Sequence, residues 1–90
     1  MPHRLKHDQI ERILEHKATG PQQRAAGEIL QQCSHRVTDV EVMRMAASAL
    51  ALLGAENELL AGKNGREQAD NLWHVAHNLL RDKHRRQERE

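Results

Sequence analysis

The longest apolar stretch of the chain covers residues 40–55. Of these sixteen residues only Glu41, Arg44 and Ser48 are polar, and Gly54 is the one glycine among them. A helix with apolar side chains almost all the way round is buried on more than one side. Because a 90-residue chain has few other helices to cover it, the pattern predicts that this helix also packs against a partner, most simply a second copy of the chain.

Three further helices are predicted by apolar residues that recur at helical spacing. The first covers residues 5–17 and the second residues 21–34, with Gly20 and Pro21 marking the break between them. The last begins at residue 65 or 66 and runs into the C-terminal tail. Each has one apolar stripe, which is typical of helices that cover a central one.

Two features of this arrangement stay open at the level of sequence. Thr38 and Glu41 form a capping-box pattern that opens the apolar helix, but the helix either stops at Gly54 or continues to Leu60, since an interior glycine costs only about 1 kcal/mol. Residues 82–90 are a charged tail that is either a solvated helix end or frayed.

The composition favours helices throughout. The chain has no Phe, no Tyr and a single aromatic residue, Trp73, whereas helix-forming Leu, Ala, Glu, Gln, Lys and Arg abound. We therefore expect an all-α fold: one helical domain over residues 1–90, built as a small bundle of three to four helices. Cys33 is the only cysteine, so no disulfide within the chain supports this small core, and a reducing compartment is expected.

A metal ion is weakly supported, so oligomerisation is the best-supported way to stabilise so small a core, and we expect a homodimer or a higher oligomer. The alternative is a monomer whose other three helices cover the apolar helix. The interface is predicted on the apolar helix, at Val40, Met43, Ala47, Leu50 and Leu53.

Two candidate chemical sites are weak. Glu67, Asp70, His74 and His77 follow one another at helical spacing, and such residues can bind a transition metal. Ligands usually come from two elements with supporting groups around them, so a solvated helix face is favoured and no metal or cofactor is predicted. Cys33 lies on an apolar stripe and is interpreted as a small buried hydrophobe, not as a nucleophile.

A basic segment at the C-terminus suggests a second class of partner. It offers phosphate-binding side chains, diluted by acidic residues and without aromatic residues for stacking. Nucleic acid is therefore the less favoured partner. The basic residues are Arg81, Lys83, Arg85, Arg86 and Arg89.

No phosphate-binding loop, nucleophile motif or acid pair indicates an enzyme. We expect a non-enzymatic, homo-oligomeric protein that binds another macromolecule, an unidentified protein, as an adaptor, regulator or inhibitor of the kind that phages and mobile elements encode. Two alternatives stay open: a nucleic-acid-binding regulator that uses the basic C-terminal helix, and a small anionic ligand binder with pockets at subunit interfaces. The predicted contact residues are Arg44, His74, His77, Arg81, Arg85 and Arg86.

No leader-like or membrane-spanning run is present in the sequence. We therefore expect a cytoplasmic protein with no membrane partner.

Overall fold

The computed structural model describes residues 5–61 and 64–89, and within them the chain is all-helical. This confirms the predicted fold class and the small bundle. A short 3-10 turn follows the third helix. The bounds are α1 His7–Glu15, α2 Gly20–Leu30, α3 Val40–Leu53, the 3-10 turn Gly54–Glu56, and α4 Gly65–Arg89.

The helices begin where side chains or backbone carbonyls satisfy their first free N–H groups. At α2, the Thr19 hydroxyl accepts a hydrogen bond from the Gln22 amide at 3.4 Å, and the Gln22 side chain accepts one from the Thr19 amide at 2.9 Å. At α3, the Asp39 carboxylate accepts from the Glu41 amide at 2.8 Å. The cap predicted at Thr38 is therefore wrong by one residue, because Asp39 holds the extended conformation that precedes the helix.

The first two helices are shorter than the sequence pattern predicted. Helix α1 begins two residues later than expected and ends at Glu15, and α2 ends at Leu30 instead of Ser34. Residues 31–39 form the loop that joins α2 to α3 and contacts α4. Cys33, which the predicted stripe of α2 included, lies in this loop and not on the helix.

The question of where α3 ends is settled at Gly54. This glycine has φ +48°, a conformation that side-chain-bearing residues rarely adopt, and it closes the helix. Helix α4, by contrast, continues through the charged tail to Arg89. An ion pair between Lys83 and Glu41, 3.2 Å apart, joins this part of α4 to α3. Residue 90 of the predicted tail lies outside the described residues.

Helix α3 lies at the centre and packs against α1, α2 and α4. Ala46 and Ala49 are fully buried, which allows the neighbouring helices to approach closely. The buried Ser48 hydroxyl donates to the carbonyl of His16 at 3.1 Å, so α3 is tied to the end of α1 without an unsatisfied polar group. The other helices thus bury most of the apolar surface of α3 within one chain.

This burial changes the surface available for the predicted oligomer interface. Ala47 is 0% exposed and Leu53 6% exposed, so neither side chain is free to contact a second copy. Met43 and Leu50 are half-buried, and Val40 is 63% exposed. Self-association stays a prediction, now confined to these last three residues.

In the described part of the chain, none of the helices combines the length and the apolar character that crossing a bilayer requires.

Candidate binding groove and the loop docked on the last helix

A cavity of about 320 Å³ lies between α1 with the residues just before it, the turn before α4 at residues 57–60, and α4 itself. Its volume falls in the range of known ligand pockets, roughly 300–1,000 Å³. Side chains from three parts of the chain form its apolar floor, and four polar residues of α4 form one edge. The floor consists of Leu5, Ile10, Leu59, Val75 and Leu79, and the edge of Asn71, His74, Asn78 and Asp82.

The polar edge is a single row along α4. Asn71, His74, Asn78 and Asp82 follow at spacings of three, four and four residues, which places them on one side of the helix. Each asparagine amide can both donate and accept hydrogen bonds. An apolar floor beside such a row can bury hydrophobic groups while the edge bonds to polar groups that flank them.

A second cavity of about 330 Å³ shares Leu5, Ile10 and Asp82 with the first. The two therefore form one continuous depression, the α1–α4 groove. The second cavity is also lined by His7, Arg85 and Arg86. The groove is thus apolar towards the start of α4 and cationic towards its end.

Ion pairs fix part of this cationic end. Arg86 lies 3.5 Å from Asp82 and 3.9 Å from Glu11, and His7 lies 3.0 Å from Glu11. Arg85 is exposed, and none of the ion pairs among the described residues includes it. The contact between Arg86 and Glu11 also links α1 to the C-terminal part of α4.

A second constellation joins the loop 31–39 to the opposite part of α4. One carboxylate oxygen of Asp70 accepts hydrogen bonds from the Cys33 thiol at 3.0 Å, from the Ser34 amide at 2.9 Å and from the Ser34 hydroxyl at 3.0 Å. These bonds, the one from Cys33 first, lower the pKa of Asp70 to about 2. The pKa of Cys33 is raised, by partial burial and then by the bond to Asp70.

Aromatic rings complete the docking of this loop. The His35 imidazole stacks on Trp73 with the ring centroids 4.0 Å apart and the planes 16° from parallel. His77 lies against Trp73 at 4.1 Å, and His74 meets its edge at 4.9 Å. The loop is therefore held on α4 by hydrogen bonds to Asp70 and by the stacking of His35 on Trp73.

This arrangement changes the interpretation of two sequence candidates. Cys33 is half-buried and hydrogen-bonded, so the description of it as a buried hydrophobe is wrong. In the predicted polar stripe, Asp70 bonds the loop, whereas His74 and His77 flank Trp73. Within residues 5–61 and 64–89, no three His, Cys, Asp or Glu side chains are grouped so as to hold a metal ion.

The predicted contact residues are not brought into one patch. His74, Arg85 and Arg86 line the groove, but Arg44 is on α3, 3.8 Å from Glu41. His77 and Arg81 lie outside the groove, the first beside Trp73. The basic C-terminal segment is partly neutralised, because Lys83 and Arg86 both pair with carboxylates.

Sequence reasoning missed the groove and the loop contacts. In the sequence, nothing distinguishes Leu5, Ile10 and Leu59 from ordinary core residues. They form one floor only because the three segments that contain them pack together. The Asp70 contacts span 36 and 37 residues, and no local spacing predicts a pair so distant.

Comparison of this chain with models of known protein families, with curated proteins and with solved structures gives no match. The proposals that follow therefore depend on the geometry of the chain.

Proposed function

We propose that this chain is a non-enzymatic interaction protein that holds an apolar segment of a partner protein in the α1–α4 groove. The observation that carries the proposal is the apolar floor beside a row of polar side chains. A helix-in-groove contact uses this combination, since the floor buries apolar side chains and the edge fixes the orientation. The partner binding makes the chain an adaptor, regulator or inhibitor.

The length of the groove supports the proposal that a segment of a partner protein binds there. Its polar edge extends from Asn71 to Asp82, eleven residues along α4, which is about 16 Å at 1.5 Å per residue. This length matches three turns of a partner helix. The residues of the floor come from elements on both sides of that line, so the docked segment contacts α1 and the turn before α4 at once.

The test compares two variants with the same substitution. Leu59→Glu places a carboxylate in the floor of the groove, and Leu52→Glu places one on α3 at a site that is 37% exposed and outside the groove. The tagged chain and both variants are used to retain partners from an extract of the cells that produce the protein, after circular dichroism has verified that each is folded. We expect a partner that is retained by the unchanged chain and by Leu52→Glu but not by Leu59→Glu.

The opposite pattern, with retention lost in Leu52→Glu and kept in Leu59→Glu, would place the partner on α3 and overturn the proposal. Retention that survives both substitutions would also count against the groove.

We propose further that the chain self-associates through the exposed apolar residues of α3. The supporting observation is Val40, 63% exposed, on the same side of α3 as the half-buried Met43 and Leu50. Light scattering coupled to size exclusion should give at least twice the monomer mass of 10.3 kDa, and Val40→Glu should lower it. A monomer at all concentrations would exclude self-association and leave the groove proposal standing.

A further inference from the structure

The cationic end of the α1–α4 groove points to the chemistry of the partner. We infer that the docked segment carries an acidic side chain beyond its apolar part, and that this carboxylate pairs with Arg85. The inference rests on the proposed function, because it assumes that the groove is a docking site for a protein segment.

The argument starts from the charges that line the groove. Among the described lining residues, Asp82 is the one carboxylate, and Arg85 and Arg86 are the two arginines. Arg86 is bound to Asp82 and Glu11, so its charge is matched within the chain. Arg85 lines the groove, and the ion pairs of the described residues leave it out. An anionic group that enters at this end meets a guanidinium that none of the described carboxylates pairs with, which favours a carboxylate geometrically as well as electrostatically.

A basic segment fits this end poorly. Its cation would lie beside Arg85, whose charge is not matched by an ion pair among the described residues, and like charges placed together oppose binding. The carboxylates of Asp82 and Glu11, which lie within reach of the groove lining, already have Arg86 at 3.5 Å and 3.9 Å. The charge pattern therefore discriminates between acidic and basic partners, although the apolar floor itself does not.

The position of the acidic residue follows from the length of α4. Arg85 lies ten residues after Val75, which is in the apolar floor, so the two are about 15 Å apart along the helix. In a helical partner the acidic residue lies about ten residues from the apolar residue that contacts Val75. In an extended partner the separation is about four to five residues, at roughly 3.3 Å each.

The test uses two minimal probes with the same ten-carbon chain and opposite head groups, decanoate and decyltrimethylammonium. Each is titrated into the full chain at low ionic strength, and amide chemical shifts of Asn71, Asn78 and Leu59 are followed by NMR. Burial of about five methylene groups corresponds to a dissociation constant on the order of 1 mM. We expect decanoate to bind more tightly than decyltrimethylammonium.

Two variants identify the group responsible. Arg85→Gln should weaken decanoate binding about two- to fivefold, the range of an exposed charge pair, and leave decyltrimethylammonium unaffected or slightly improved. Arg81→Gln is the matched control, because Arg81 is an exposed arginine of the same helix that lines neither cavity. It should leave both affinities unchanged.

The outcomes separate the inference from the proposed function. Equal binding of both probes, or an unchanged preference in Arg85→Gln, overturns the acidic partner but leaves an apolar docking groove. If neither probe shifts the amide signals of the groove residues, both the acidic partner and the docking groove would be contradicted. Decanoate binding at micromolar concentration or below would identify a lipid ligand and overturn the assignment to a protein segment.

Discussion

Replacement of Gly54 by alanine tests whether α3 ends at this residue, because the substitution should destabilise a helix that ends there and stabilise one that continues through it. Gly54 has φ +48° and ψ −143°, and a Cβ built on it would meet nothing within 4 Å. Steric contact with the rest of the chain is therefore not involved. The substitution probes only the backbone conformation that closes the helix.

The expected size follows from two opposing terms. A residue with a side chain in this region of backbone space costs about 1–3 kcal/mol. Alanine also reduces the conformational freedom of the unfolded chain, which stabilises the fold by about 0.4–1 kcal/mol. The middle of each range, about 2 and about 0.7 kcal/mol, gives a net loss of about 1.3 kcal/mol in the free energy of unfolding, or a decrease in Tm of about 5–10 °C for a domain of this size.

Gly27→Ala is the matched control. Gly27 lies inside α2, and its new methyl group would lie 3.4 Å from the end of the flexible Met43 side chain, an ordinary contact. Because alanine is the better helix former, we expect this variant to gain about 0.5–1 kcal/mol. Both variants are measured by urea and thermal denaturation, followed by circular dichroism and by Trp73 fluorescence.

A helix that continued through Gly54 would give a different result. In that structure alanine would raise stability by about 1 kcal/mol, as at any interior helical glycine. A Gly54→Ala protein as stable as the unchanged chain, or more stable, would therefore refute the closure of α3 at this residue.

Three further predictions concern the docked loop. Asp70→Ala should lower the free energy of unfolding near neutral pH, as measured by denaturation at each pH. Because the pKa of Asp70 is lowered to about 2, the stability difference between the variant and the unchanged chain should be fully present above about pH 4. It should disappear as the pH falls through 2. Since the pKa of Cys33 is raised by burial and by Asp70, its thiol should react slowly with iodoacetamide near pH 8 and faster in Asp70→Ala, and an equal rate in both would contradict the hydrogen bond. His35→Ala should uncover one face of Trp73 and increase acrylamide quenching of its fluorescence, whereas His84→Ala should not.

The fold class and the number of helices were predictable because hydrophobic spacing is a local property. The apolar run over residues 40–53 and the stripe of α4 are each visible within one segment. The cap of α3 was misplaced by one residue, since Thr38 and Asp39 are both good caps and the choice depends on the path of the preceding loop. The end of α3 at Gly54 could be identified only from the backbone conformation of this residue.

The candidate site was much less predictable. The apolar residues of α3 predicted an interface with a second copy, but two of its predicted residues, Ala47 and Leu53, are buried by the other helices of the same chain. A sequence pattern shows that a residue is apolar and not which neighbour covers it. In the same way, Arg85 and Arg86 look alike in sequence, and only the carboxylates of Asp82 and Glu11 distinguish the paired arginine from the one that is available.

The most direct test of the central claim, that the α1–α4 groove is the docking site of this protein, is site-specific photo-crosslinking. A benzophenone side chain is introduced in place of Asn78, which is exposed at the edge of the groove, or in place of Arg24, which is exposed on α2. The full chain is then irradiated in the cells that produce it. We predict a discrete crosslinked protein with the probe at position 78, none at position 24, and loss of the product when Leu59→Glu is combined with the probe at 78. A crosslink at position 24 without one at 78, or a product that persists with Leu59→Glu, would contradict the account.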